Sequence, residues 1–513
     1  MASECGDEGR LRAMTLDSHA QYRALRAHDR RFDGIFFVGV VSTGIYCRPI
    51  CPARIPKERN CRFFPSPQQA EQAHFRPCLR CRPELAPGNA PIDASQRIAQ
   101  LIVERLEAGA IGADAGLEAI AAQFELSSRQ IRRIVQHELG VPPVQLLLTR
   151  RLLLAKQLLT ETSLPVTDVA FASGFSSLRR FNDAFRSRYG LPPSRLRMSA
   201  LTGQATIDRA ETSQILLGYR PPYDWAGVLR FLASRETRDV EWVTESFYAR
   251  TVRLGTHAGW IRVAHQPGKH ALSLEFSHGL SAALPMLLNR VRALFDLSAR
   301  PDVVNACLQR DRRIGRLIRQ SPGIRVPGAF NGFELGWRAI LGQQVTVRSA
   351  TTVSGRFAEA FGESISTPFA QLGRLTPAPA RVADASVSSV ARLGIVAARA
   401  RAVISLAQAQ LTGEALLDGG CAHPEEMMRR LVQVPGIGPW TAQYVAMRAL
   451  SWPDAFPKED VAVRNALGGV GPKQADTLSQ RWRPWRSYAV MHLWRAAVHR
   501  PRATQEKPAM AIS

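Results

Sequence analysis

No apolar stretch in this chain approaches the ~20 residues needed to cross a bilayer. The opening MASECGDEGRLRAM also lacks the apolar run that leads a chain into secretion. A cytoplasmic setting with no membrane partner is therefore expected, and there thiols stay reduced. Cysteine is scarce, 8 in 513 residues, so disulfide-framework folds are set aside. Acidic charge is in deficit: 43 Asp+Glu face 67 Lys+Arg, for a net charge of +24. The first 200 residues carry 28 basic against 19 acidic, and the rest 39 against 24. The excess is not one basic tail, so both halves could face a polyanion such as a phosphate backbone. A merely soluble Arg-rich chain would carry the same charge, so charge alone leaves both readings open.

At about 100–200 residues per domain, this length implies three or more domains. Five of the eight cysteines fall between Cys47 and Cys81, while Cys5, Cys307 and Cys421 stand alone. A small Cys- and Pro-rich domain is therefore expected over 1–88, followed by a linker at 84–93, ELAPGNAPID. Residues 94–198 are helical by pattern. A second linker, SALTGQATIDRAETSQ, covers 199–214. From about 216 to 276, the segments SFYARTVRL, WIRVAHQ and HALSLEF read as antiparallel strands separated by the turns GTHAG and PGKH. A β-rich domain over 214–285 and a helical domain over 286–502 complete the organisation. The expected fold class is multidomain and mainly α: a small α+β metal domain, an all-α domain, and a small antiparallel sheet joined to a helical domain.

Two cysteine pairs, Cys47-Arg-Pro-Ile-Cys51 and Cys78-Leu-Arg-Cys81, have the spacing that brings four thiolates around one tetrahedral Zn²⁺. A domain this small needs the metal to fold. Cys61 lies off both pairs and is expected to be a buried thiol. The words GVVSTGIYCRPICPAR and FRPCLRCRPE, over about 15–85, resemble the N-terminal domain of the Ada methyl-acceptor family. The resemblance implies that Cys47 is both zinc ligand and methyl acceptor from a DNA methyl phosphotriester, with Cys51, Cys78 and Cys81 as the other ligands. One Zn²⁺ would then be both structural and thiolate-activating, since a thiol of pKa ~8.5 is a poor nucleophile unless held as the thiolate. Four thiolates on Zn²⁺ carry a formal −2, and methylation leaves −1. Repulsion from phosphates falls, which is a physical basis for a switch to tighter DNA binding.

Two helix–turn–helix patterns follow. In the first, Ser127 caps a helix bearing Arg129, Gln130, Arg132 and Arg133; in the second, Gly174 makes the turn and Ser176 or Ser177 caps a helix bearing Arg179, Arg180 and Asn182. Either could be an ordinary hairpin with a solvated basic face. The pair, the long VQLLLTRRLLLAKQLLT between them and the ending FRSRYGLPPSRLR together resemble the AraC-type DNA-binding domain. Arg129, Arg132, Arg179 and Arg180 are then the expected DNA contacts.

Near the other end, VPGIGPWTA places Gly436 and Gly438 in a turn whose backbone N–H groups could meet a phosphate. Asp460 follows 22 residues after Gly438. This arrangement resembles the helix-hairpin-helix glycosylase superfamily. YRPPYDWAGVLRFLASR, GFELGWRAILGQQVTV, VPGIGPWTAQYVAMRAL and RWRPWRSYAVMHLW narrow it to DNA-3-methyladenine glycosylase II, the AlkA type, over about 216–500. The resemblance implies hydrolysis of the N-glycosidic bond of an extruded alkylated base, with the Asp460 carboxylate stabilising the positive sugar. Glu459, its neighbour, is expected to point elsewhere on a helix. Trp440, Tyr444 and Trp494 match the aromatic base pocket; Trp337, Trp482 and Trp485 are read as core. Trp440 occupies the place of the Schiff-base lysine of lyases, so a monofunctional enzyme is expected. Gln344 sits where the family can carry a leucine wedge, and Val461 where an aromatic can occur.

Together the resemblances describe a repair enzyme with an attached methylation sensor that activates transcription. The expected partners are double-stranded DNA, both alkylated and promoter, and RNA polymerase. Two alternatives stand beside it: a methylation-responsive regulator with an inactive glycosylase-like domain, and an enzyme whose first modules only tether it to DNA. No Pro-Cys-His-Arg word occurs, so O6-methylguanine repair is not expected.

Overall fold

The computed structural model describes residues 17–87, 126–201, 212–417 and 423–498, with scattered positions between 98 and 124. Cys5 and Cys421, and parts of both linkers read from the sequence, lie outside the described residues. Among the described residues no helix is long and apolar enough to cross a membrane.

The first module has a helix α1 (Ser18–Arg26) capped by Asp17, strands β1 (Phe37–Val40), β2 (Ile45–Cys47), β3 (Cys61–Phe64) and β4 (Arg76–Pro77), and α2 (Pro67–Gln72). The sheet order is β3-β1-β2-β4, with β2 and β4 parallel. That parallel pairing sets the end of β2 beside the end of β4, and each end opens into one cysteine pair. Its cores are small: Phe37, Tyr46, Phe64 and Phe75 on one side, and Leu25, Phe36 and Val38 on the other.

The second module is helical: α3 (Ser128–Leu139), α4 (Pro143–Glu161), α5 (Val166–Ala172), α6 (Leu178–Tyr189) and α7 (Pro193–Leu201). Ser127 and Gln130 form a reciprocal capping box on α3, and Gly140 ends that helix in the left-handed conformation. Leu117, Ile120 and Ala121 pack with Ile131 and Val135, so the first turn unit closes around one core. Helix α4 is the spine between modules. Its Thr149 donates to Glu71 at 2.6 Å, and its Lys156, 1% exposed, donates to the Cys78 carbonyl at 3.0 Å and Glu84 at 2.7 Å. From its far end Gln157 donates to the Leu216 carbonyl, while Glu161 accepts from the Leu216 N–H.

The third module is a five-stranded antiparallel sheet of β5 (Thr212–Gly218), β6 (Glu241–Val243), β7 (Phe247–Leu254), β8 (His257–Gln266) and β9 (Ala271–Ser277), in the order β5-β9-β8-β7-β6. The three strands expected from alternation are β7, β8 and β9. Two differences follow from local chemistry. Residues 212–214, read as linker, extend β5 because Thr212 and Ser213 pair with Ser277 and Phe276. Helix α8 (Trp225–Ala233), capped by Asp224, interrupts the stretch expected to be strands; its apolar Trp225, Val228, Leu229 and Leu232 recur at helical, not strand, spacing and are buried.

The helical module contains α9 (Leu284–Leu294), α10 (Pro301–Leu308), α11 (Arg312–Gln320), α12 (Gly332–Leu341), α13 (Val347–Phe361), α14 (Pro379–Ala383) and α15 (Val387–Ala391). It continues with α16 (Ala397–Thr412), α17 (Pro424–Gln433), α18 (Pro439–Arg448), α19 (Val461–Ala466), α20 (Pro472–Ser479) and α21 (Arg486–Val498). Trp337, Trp482 and Trp485 are buried in its core, as expected.

Candidate active site and metal centre

The hairpin between α17 and α18 is built by two glycines with different roles. Gly436 has φ +85°, and a Cβ there would lie 2.4 Å from that of Ala402 on α16, so both conformation and space demand glycine. Gly438 has ordinary extended φ and caps α18, with nothing within 4 Å of a Cβ. The open side of the turn, together with the N-terminus of a ten-residue helix, leaves room for a phosphate.

Asp460 caps α19, and its carboxylate accepts three hydrogen bonds. Trp440 Nε1 donates to Oδ2 at 3.0 Å, Trp494 Nε1 to Oδ1 at 3.0 Å, and the Val463 N–H to Oδ1 at 2.9 Å. The cap role and the indole contacts coexist. Trp440 is the second residue of α18, so the carboxylate is tied directly to the start of the helix that follows the hairpin. Trp440 stacks on Tyr444, centroids 5.2 Å apart at 10°, and Trp494 stands 6.2 Å from Tyr444. The three predicted pocket aromatics therefore meet, and two of them turn their N–H edges to the acid. Glu459 departs from expectation: it lies in the turn closed by the Asp460 N–H on the Pro457 carbonyl, not on a helix. Val461, beside the acid, is 63% exposed. Gln344 is exposed at the loop between α12 and α13 with φ +54°.

In the first module, the Sγ atoms of Cys47, Cys51, Cys78 and Cys81 lie within 4.8 Å of one another. Four sulfurs at Zn–S distances of about 2.3 Å would be about 3.8 Å apart around a tetrahedron, so the cluster fits Zn²⁺ in donor type and spacing. Cys51, Cys78 and Cys81 are buried, whereas Cys47 is half-buried. Backbone donors support the sulfurs: the Arg48 N–H reaches Cys81 Sγ at 3.3 Å and the Cys81 N–H reaches Cys78 Sγ at 3.5 Å. The Arg48 guanidinium holds the Cys81 carbonyl and pairs with Asp33, whose own carbonyl accepts from Arg220 of the third module. Cys61 lies outside the cluster on β3 and is half-buried rather than buried. Its Sγ donates to the Lys57 carbonyl, and burial pushes its thiol up to about 11.

In the second module, Arg129 and Arg132 are exposed on α3, and Arg179 and Arg180 on α6, whose N-cap is Ser177. Gly174, at φ +90°, makes the turn before it.

Family models match in this order: the metal binding domain of Ada over 20–84, a helix-turn-helix domain over 120–199, the AlkA N-terminal domain over 214–331, and the HhH-GPD superfamily base excision DNA repair protein over 337–485. The chain is 35% identical to the probable bifunctional transcriptional activator/DNA repair enzyme AlkA of Mycobacterium tuberculosis, over 93% of this chain and 96% of that one. It belongs to the AlkA-type family of bifunctional transcriptional activators/DNA repair enzymes. Over 54% of its length it is 37% identical to DNA-3-methyladenine glycosylase 2 of Escherichia coli, covering 95% of that chain. Over 34% it is 31% identical to the bifunctional transcriptional activator/DNA repair enzyme AdaA of Bacillus subtilis, covering 81% of that chain.

Within this AlkA-type architecture the aromatic cluster beside Asp460 extends to residues that sequence reading missed. Phe231 on α8 stacks on Trp494 at 15°, with the guanidinium of Arg235 4.0 Å and that of Arg448 4.9 Å from its ring centroid. Arg448 donates to the Tyr444 hydroxyl at 2.6 Å and to the Pro327 and Gly328 carbonyls. Burial alone would push the Tyr444 hydroxyl up, but Arg448, Arg235 and Arg338 outweigh it and hold it below its ordinary value. Behind them Arg338 pairs with Glu241 and Glu334, and Arg250 with Glu334 at 2.6 Å. The i,i+4 spacing of Tyr444 and Arg448 marks one face of α18, but nothing local pairs that face with Phe231 and Arg235.

The indole contacts give a test that separates stacking from hydrogen bonding. Trp494→Phe keeps an aromatic face and removes one N–H donor to a carboxylate, a bond worth about 1.5–3 kcal/mol. The single-turnover rate of base release is expected to fall about tenfold or more with KM little changed. A larger change in KM than in rate would make Trp494 a binding wall instead.

Proposed function

We propose that the chain is a DNA alkylation repair protein of two linked activities. Its four modules, taken as 1–88, 94–198, 214–285 and 286–502, act on one partner, double-stranded DNA. The last two hydrolyse the N-glycosidic bond of 3-methyladenine-type bases. Water adds to the sugar carbon and gives up one proton to solvent, the bond to the base nitrogen breaks with its electron pair neutralising the cationic base, and the Asp460 carboxylate offsets the positive charge on the sugar. The reading is carried by one observation: Asp460 is held by two indole N–H groups whose rings form an aromatic wall with Tyr444. A cationic alkylated base would gain roughly 0.5–2 kcal/mol from such faces. Trp440 has no amine for a Schiff base, so the product is an intact strand with an abasic site.

In the first module Cys47 is the proposed methyl acceptor. Its sulfur attacks the methyl carbon of a phosphotriester, an S–C bond forms, the C–O bond breaks, and the phosphodiester leaves as its anion. A bound Zn²⁺ supplies the stabilisation that keeps the sulfur a thiolate. Cys47 sits at the end of β2 with its sulfur among the other three, and its residue as a whole keeps more exposure than theirs, which supports this assignment. Arg129, Arg132, Arg179 and Arg180 then meet promoter DNA, with RNA polymerase as the partner of the activated state. A regulator with a silent glycosylase fold is less well supported, because a silent site has no need of a triply bonded carboxylate.

The test incubates the protein with methylated duplex DNA and follows free base and strand integrity together. Free base with an unbroken strand, cleaved only after alkali, is expected. Strand scission without alkali would contradict the monofunctional assignment, and no free base would remove the glycosylase.

A further inference from the structure

The loop between α12 and α13 is joined to the glycine hairpin by the side chain of Gln343. Gln343 Nε2 donates to the Gly436 carbonyl at 3.0 Å and to Thr441 Oγ1 at 3.0 Å, across more than 90 residues of chain. The Gly436 carbonyl can only accept, which fixes the orientation of the amide. Both acceptors are closely packed. Gly436 lies against Ala402, and Thr441 is buried in the first turn of α18. On the other side of the loop, Thr346 caps α13 through the Ser349 N–H at 3.2 Å. Gln344 and Val345 are thus suspended between two anchors. Gln344 has φ +54°, a conformation that a non-glycine residue keeps only when its neighbours impose it. Val345, an apolar side chain, is 38% exposed beside it.

We propose that Gln343 is a positioning residue that braces the Gln344–Val345 tip against the hairpin, so that gripping the backbone and displacing the nucleotide occur as one rigid motion. The inference rests on the glycosylase reading above and goes beyond it by naming what makes the tip stiff. A hairpin held on a phosphate supplies the purchase, and a tip that does not yield converts it into unstacking. Without the amide, the tip relaxes away from φ +54° and part of the binding energy is lost in re-ordering it.

The experiment compares wild type, Gln343→Ala and Gln343→Glu on a methylated base paired in duplex and on the same base in a bulge where it is already unstacked. Extrusion is read from the fluorescence of a neighbouring 2-aminopurine, and folding from the thermal midpoint. Glutamate preserves shape and can still accept from the Thr441 hydroxyl, but it has no N–H for the Gly436 carbonyl, so it loses the tie to the hairpin as alanine does. Both variants should lower kcat/KM on the paired substrate about tenfold, with less than about twofold loss on the bulge and a weaker extrusion signal. Thr441→Val should add little once Gln343 is already replaced. Equal losses on the two substrates, or an unchanged extrusion signal, would overturn the brace. The fluorescence arm needs no chemistry, so it judges the brace even if wild type released no base, a result that would sink the glycosylase reading instead.

Discussion

Asp460→Asn will release alkylated bases about 10²–10³-fold more slowly than wild type, while its affinity for abasic-site DNA and its thermal midpoint stay close to wild type. The size of the loss follows from what the substitution removes. The carboxylate is the charge set against the sugar, and both its oxygens are held by N–H donors from Trp440, Trp494 and Val463. Asparagine keeps one carbonyl oxygen and presents an NH₂ to an indole N–H, so one donor is left facing another donor. The negative charge disappears and the aim of the remaining oxygen is disturbed. The fold should survive, because asparagine is as good an N-cap as aspartate and can still accept from the Val463 N–H. A rate within a few-fold of wild type would mean that the acid is only a cap.

The sequence made some parts of this site readable and left others closed. The cysteine pairs were readable because metal geometry constrains local spacing, and the structure brings all four sulfurs together through the parallel pairing of β2 and β4. Asp460 and the hairpin were readable by resemblance, since the order of short words survives in the chain. Contacts between distant segments left no local trace. Nothing near Trp440 or Trp494 announced that their N–H groups end on opposite oxygens of the same acid. Gln343 and Gln344 are adjacent and chemically identical. Only the first has its amide on the hairpin, and only the second has a left-handed backbone. Phe231 and Arg235 were hidden for another reason: Phe231 lies on α8 and Arg235 in the turn just after it, inside a stretch whose neighbours alternate like strands. The buried pairs of Lys156 with Glu84 and of Thr149 with Glu71 are also unreadable from pattern. In a long helix buried on most of its faces, such as α4, a polar residue looks like an interruption until a partner from another module is seen.

Cys47→Ala will abolish methyl uptake entirely, whereas alanine at Cys51, Cys78 or Cys81 will cost the module its metal and its fold. The contrast comes from burial. Cys51, Cys78 and Cys81 are buried, and Cys78 is tied on both sides, its N–H donating to the Tyr46 carbonyl of β2 and its carbonyl accepting from Lys156 of α4. With cores of only a few aromatic and aliphatic side chains, the module depends on its metal for folding. Three thiolates and a water still make a serviceable Zn²⁺ site. Cys47→Ala should therefore retain about one equivalent of zinc and a native thermal midpoint, yet show no mass increase by one methyl group after exposure to methylated DNA. The other three variants should bind little zinc and melt early. Cys47→Ala should also lose methylation-dependent induction of a promoter reporter, because the change in cluster charge from −2 to −1 never takes place. Base release by the same variant should be unchanged, since Asp460 and its indoles belong to a separate module. Methyl uptake on another residue, or induction that persists in this variant, would leave the first two modules as a DNA tether and remove the sensor.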